Sequence, residues 1–134
     1  MTGDNQPHRI MVVEDDDSVC QALKVRLIHE GYEVSVAHDA ISAVSTARRE
    51  KPDVALLDIN LPGGSGFEVA RRLDLVMGGT GLKMVFITAS KEPGLRQKAM
   101  SVGAAAFVEK PFTAEALLSA IDEALASDPP EMFG

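Results

Sequence analysis

Only one of the 134 residues is cysteine, Cys20. That scarcity excludes an internal disulfide and a cysteine metal cluster. A lone thiol inside a helical stretch is expected to pack rather than react. Basic charge is also in short supply. Thirteen Lys and Arg face twenty Asp and Glu for a formal charge of −7, and the largest basic groupings are the pairs Arg48-Arg49 and Arg71-Arg72. A nucleic-acid surface needs a basic patch, so direct nucleic-acid binding is not expected. Long apolar runs are missing as well: nothing approaches the roughly eighteen residues of a membrane span. The polar start Met1–His8 lacks the apolar core of a signal peptide. No membrane insertion and a cytoplasmic setting follow as expectations.

What is present is a fivefold alternation of short apolar runs and amphipathic stretches. The runs are Ile10–Val13, Glu33–Ala37, Val54–Leu57, Met84–Ile87 and Ala106–Glu109. Helices are predicted over about 18–30, with Asp17 or Ser18 as cap and Gly31 as stop, and over 40–50, capped by Asp39. Others are predicted over 67–77, over 95–102 ending at Gly103, and over 114–126 capped by Thr113. Five such units predict a single α/β domain, a doubly wound parallel five-stranded sheet with helices on both faces. Glu33–Ala37 alternates polar and apolar residues, as an edge strand does. It is also the one run without a site-type residue at its end. Both points favour the flavodoxin-like strand order 2-1-3-4-5, which sets the first and third strands side by side at the switch point. The expected boundaries are a flexible lead at 1–8, a domain over 9–126, and a tail or linker start at 127–134, with Pro129-Pro130.

Four of the five runs end in polar chemistry: Glu14-Asp15, Asp58, Thr88, and Lys110-Pro111. In a parallel sheet all strand carboxyl ends share one edge, where ligands bind. Three carboxylates gathered there repel. At about 4 Å and an effective dielectric near 20, each like-charge pair costs on the order of 4 kcal/mol. A cation would relieve that repulsion. With no His or Cys nearby in sequence, an all-oxygen set suits Mg²⁺. Asp58 could then serve as a metal ligand or as a nucleophile towards phosphorus. The Lys110 ammonium and the Thr88 hydroxyl would meet the oxygens of a transferring phosphoryl group.

These residues resemble the receiver domain of bacterial two-component response regulators, the CheY-like family. The resemblance rests on Val-Val-Glu-Asp-Asp (12–16), Leu-Leu-Asp-Ile-Asn-Leu-Pro-Gly-Gly-Ser-Gly-Phe-Glu-Val (56–69), Phe-Ile-Thr-Ala (86–89) and Phe-Val-Glu-Lys-Pro-Phe (107–112), in family order and spacing. It implies that Asp58 accepts a phosphoryl group from a sensor histidine kinase or a histidine phosphotransfer protein. It implies Mg²⁺ on Glu14, Asp15, Asp58 and the backbone carbonyl of Asn60. Thr88 and Lys110 would contact the phosphoryl group, and Thr88 and Phe107 would form the switch. Asn60 and Ser90 match positions that tune autodephosphorylation, and the Lys110–Pro111 bond is expected to be cis. The implied effector face is the fourth helix, fifth strand and fifth helix. A stand-alone regulator acting through protein contacts is expected, with the N-terminal receiver of a longer regulator as the alternative.

Duller readings stand beside these. Asp16 and Asp17 suit a helix start. Gly78–Lys83 mimics a phosphate loop but lacks its spacing and precedes a strand, so it reads as a connection. His8, His29 and His38 are expected to be solvent-exposed without partners. A haloacid-dehalogenase-type phosphohydrolase would want a second Asp where Asn60 stands, to act as general acid and base. A flavin or nucleotide carrier would have to bring phosphate up against the carboxylates. A degenerate receiver would not be expected to keep Asp58, Thr88 and Lys110 together.

Overall fold

A computed structural model describes residues 6–62 and 64–127. The strands are β1 (Arg9–Val13), β2 (Glu33–Ala37), β3 (Val54–Asp58), β4 (Lys83–Thr88) and β5 (Ala106–Glu109). Between and after them run α1 (Asp17–His29), α2 (Ala40–Glu50), α3 (Gly66–Met77), α4 (Leu95–Ser101) and α5 (Ala114–Ala126). All strand pairs in the main sheet are parallel, and the order is β2-β1-β3-β4-β5. That is the expected order. A small antiparallel ladder, Asn60–Leu61 against Gly64–Ser65, follows β3.

The apolar runs lack alternation because both faces of the central strands are covered. Met11, Val13, Ala55, Leu57 and Phe86 pack with α2, α3 and α4. Ile10, Val12, Val54, Leu56, Val85 and Ile87 pack with α1 and α5. Only β2 is half-buried along most of its length; β5, at the other edge, is buried over three of its four residues.

Local chemistry sets the helix ends. Asp39, Ser65 and Thr113 each accept a backbone hydrogen bond three residues on and so cap α2, α3 and α5. For α1 the cap is Asp16, whose carboxylate accepts from the Val19 N–H. The expectation of Asp17 or Ser18 is therefore corrected: Asp17 already belongs to the first turn, where its charge meets the positive end of the helix. Gly31 follows α1 at φ 97°, a conformation that favours glycine. The glycine-rich stretch before β4 is a plain connection, with Gly79 and Gly81 at φ 89° and 86°. Its Lys83 points away from any loop cradle. The ammonium donates to the Ala124 carbonyl at 3.3 Å and the Ser127 hydroxyl at 2.9 Å, closing the C-terminal end of α5.

No helix among the described residues is long and apolar enough to cross a membrane. Of the expected terminal segments, residues 1–5 and 128–134 lie outside the described residues.

Candidate functional site

The parallel register carries the ends of β1 and β3 to one edge. Val13 pairs with Leu57, so Glu14 and Asp15 emerge beside Asp58. One carboxylate oxygen from each of Glu14, Asp15 and Asp58 lies within 4.8 Å of the others. Glu14 and Asp58 are buried, at 4% and 8% exposure, and Asp15 is exposed. Lys110, at the end of β5, extends its ammonium between the two buried acids. It stands 2.9 Å from Glu14 Oε1 and 3.3 Å from Asp58 Oδ2.

The remaining carboxylate oxygens are held by nearby backbone. Asp16 N–H donates to Glu14 Oε2 at 3.2 Å, and Asn60 N–H donates to Asp58 Oδ1 at 3.0 Å. Burial pushes Glu14 above the usual carboxylate range. The Lys110 hydrogen bond and the Asp16 N–H oppose that rise, while neighbouring Asp58 adds to it. For Lys110, burial acts to lower the ammonium's pKa. The hydrogen bond to Glu14 and the charges of Asp58 and Glu14 outweigh it and hold Lys110 above its ordinary value. One cation balancing two buried anions leaves a net negative pocket.

The other expected residues surround this centre. Thr88 ends β4 and is buried, and its hydroxyl oxygen accepts from the Ser90 N–H at 3.0 Å. Among the described residues no side-chain hydrogen bond joins Thr88 to Asp58 or Lys110. The backbones are tied, since Lys110 N–H donates to the Thr88 carbonyl at 2.7 Å. Ser90 uses its own hydroxyl to accept from Glu92 N–H. The Lys110–Pro111 bond is cis. Phe107 lies two strand ends away from Asp58, with its ring mostly buried and the Arg96 guanidinium 5.0 Å from the ring centroid. Asn60 takes part through its backbone N–H.

Several of the site's contacts had no signal in the sequence. The Glu14 carbonyl accepts from Cys20 Sγ at 3.2 Å and lies 3.0 Å from His38 Nδ1. These contacts pin the acidic loop between α1 and the turn after β2. His38 was expected to lack a partner; it is half exposed but engaged here, and its Nε2 is 3.6 Å from Asp17. Gly66 matters through size alone. A Cβ there would collide with the Asp58 carbonyl oxygen and sit 2.9 Å from the Ile59 Cα, so the start of α3 lies directly against the strand end that carries Asp58.

The sequence matches the response regulator receiver domain over residues 10–122. The chain belongs to that family. Among curated relatives of this receiver domain, response regulator MprA of Mycobacterium tuberculosis is 35% identical over 125 residues, covering 92% of this chain and 53% of that protein. The probable transcriptional regulatory protein TcrX of the same organism is 34% identical over 112 residues, covering 84% and 47%. The chain thus spans about half the length of the curated relatives it matches. Among solved structures, chemotaxis protein CheY4 of Vibrio cholerae superposes with a TM-score of 0.82 at 28% identity, covering 89% of this chain and 99% of that one. A CheY-like receiver domain protein from Methanospirillum hungatei gives 0.81 at 30% identity, covering 89% and 94%.

Proposed function

We propose that this receiver domain accepts a phosphoryl group onto Asp58 from a phosphohistidine of a sensor histidine kinase or histidine phosphotransfer protein. The observation that carries the reading is the convergence of Glu14, Asp15, Asp58 and Lys110 at one strand edge. An Asp58 carboxylate oxygen attacks phosphorus, the P–N bond breaks, and the imidazole departs with its electron pair. Lys110 has two carboxylates to choose from and can turn its ammonium to a phosphoryl oxygen. Thr88 can offer its hydroxyl proton to another, because its oxygen serves as an acceptor towards Ser90.

The donor set fits Mg²⁺: three carboxylates in reach of one another, all oxygen, with more negative charge than Lys110 neutralises. Glu14, Asp15, Asp58 and the Asn60 backbone carbonyl would hold the ion. When bound, it would supply charge neutralisation at the phosphoryl oxygens. Phosphorylation would draw the Thr88 hydroxyl towards Asp58 and turn Lys110 to the phosphoryl group, and Phe107, on β5 and packed against α4, would carry the change to the α4–β5–α5 face, where an effector protein docks. Asn60 and Ser90 would tune the lifetime of the acyl phosphate. The functional unit would be residues 9–126, with 1–8 as a lead and 127–134 as a tail or the start of a linker.

Half-length coverage of MprA and TcrX supports a second reading of the output, in which the receiver governs a longer regulator. The phosphoryl chemistry is the same in both.

Incubation with a small phosphodonor and Mg²⁺ should add one phosphoryl mass to the intact protein, and Asp58→Asn should abolish it. A label that persists in the variant moves the acceptor elsewhere.

A further inference from the structure

Among the described residues the two most exposed large apolar side chains line one groove. Ile41 on α2 and Leu75 on α3 are 78% and 75% exposed. They line one groove of about 630 Å³ between the two helices, with Val44 and Val76 along its floor. Single exposed leucines or isoleucines are ordinary. Two that line the same apolar groove mark a candidate contact surface.

The rim carries a second signal. The groove's charged residues are Arg48, Arg49 and Arg72, with no acid among them, on a chain of formal charge −7. Arg49 pairs with its neighbour Glu50 at 3.0 Å. Among the described residues neither Arg48 nor Arg72 has an ion-pair partner. Arg48 sits in the last turn of α2, where a cation suits the helix dipole. That reason does not reach Arg72, which lies mid-way along α3.

We propose that the α2–α3 groove docks an acidic amphipathic helix of a partner protein, its apolar residues between Ile41 and Leu75 and its carboxylates on Arg48 and Arg72. Charge decides the occupant. The uniformly basic rim asks for an anionic ligand, and the apolar floor asks for a ligand with side chains at helical spacing. A flat anionic bilayer would meet three arginines and then the repulsion of a strongly acidic protein. A second copy of this chain would bring the same basic rim against itself in a two-fold contact. None of the residues lining the groove belongs to the Asp58 site, so the proposal does not depend on phosphoryl transfer.

The test uses the full chain, labelled with ¹⁵N, and two synthetic eighteen-residue helical peptides. Both carry Leu at i, i+3, i+4 and i+7; one is flanked by Glu and the other by Lys. The Glu peptide should shift amides of α2 and α3 around Ile41 and Leu75, and bind at least roughly tenfold more tightly than the Lys peptide. Arg48→Ser with Arg72→Ser should weaken it roughly tenfold, as should raising salt from about 50 to 300 mM. Ile41→Ser with Leu75→Ser should abolish it and leave the melting temperature unchanged, since both side chains are already in water. Equal binding of the two peptides, shifts centred elsewhere, or no binding of the Glu peptide at millimolar concentration overturns the proposal. Self-association through this face, or capture by anionic vesicles in place of the peptide, overturns it equally.

Discussion

Replacing Lys110 by Met removes the one cation between two buried carboxylates while keeping the length and apolar stem of the side chain. At 2.9 and 3.3 Å and an effective dielectric near 20, the attractions are about 5–6 kcal/mol each before desolvation is counted. Desolvation of the ammonium offsets much of that. Breaking a buried pair from one side generally costs about 3–5 kcal/mol, because the partner charges stay buried and uncompensated. The Lys110 side chain is 21% exposed, and water screening lowers the expected loss to roughly 2–4 kcal/mol. In a chain of this size that lowers Tm by on the order of 10 °C.

The loss should depend on pH with a definite sign. Glu14 is already raised in the folded state, chiefly by burial, and Lys110 is among the groups holding it down. Without Lys110 it rises further. A carboxyl raised on folding destabilises fully above its folded value, and the penalty fades as pH falls through that value towards 4.5. Lys110 is raised in the wild type, so its own contribution persists up to its unfolded value near 10.5 and does not titrate in this window. Urea unfolding followed by circular dichroism should therefore show a wide gap between wild type and Lys110→Met at pH 7 and a narrower one at pH 4.5. Millimolar Mg²⁺ should restore part of the loss at pH 7 by binding only the folded cluster. A loss below about 1 kcal/mol at pH 7, or one unchanged at pH 4.5, would refute the account of Lys110 as the site's internal counter-ion.

Gly66→Ala should cost roughly 1–3 kcal/mol in urea unfolding and slow phosphorylation of Asp58, since the new methyl meets backbone of Asp58 and Ile59 that cannot step aside; wild-type stability would remove that close approach from the argument. Cys20 is pushed up to about 11 by burial and then by the charges of Glu14, Asp17, Asp16 and Asp15, leaving about one thiolate in a thousand at pH 8. Iodoacetamide should accordingly modify the folded protein far more slowly than the urea-unfolded chain, and equal rates would contradict its burial. Asp39→Ala should lower Tm by uncapping α2. The backbone and side-chain hydrogen bonds from Ser42 hold Asp39 below its ordinary 3.8, so the stability it adds is complete above 3.8 and disappears as pH falls through the depressed value. A Tm gap that survived further acidification would rule the cap out as its source.

Much of this molecule was written in local pattern. Continuous apolar runs such as Val54–Leu57 announced strands covered on both faces, and half-polar Glu33–Ala37 announced the edge. Asp39 and Thr113 marked helix starts because a short acceptor side chain before an apolar stripe has few other uses. The acidic, hydroxyl and ammonium residues at run ends implied a shared edge, since parallel strands leave no other arrangement. Those signals are short-range, and a linear reading captures them. Contacts that depend on how neighbouring elements settle against one another stayed hidden. Cys20 and His38 meet the Glu14 carbonyl only because α1 and the turn after β2 flank the same loop. Lys83 closes α5 from across 41 residues of chain, and Arg96 finds the face of Phe107. Even the cap of α1 moved by a residue, because Asp16 had both the helix start and the Glu14 carboxylate to serve. Periodicity and end chemistry settled which groups gather at the edge; packing in three dimensions settled which atoms touch, because that choice is made by side chains distant in sequence.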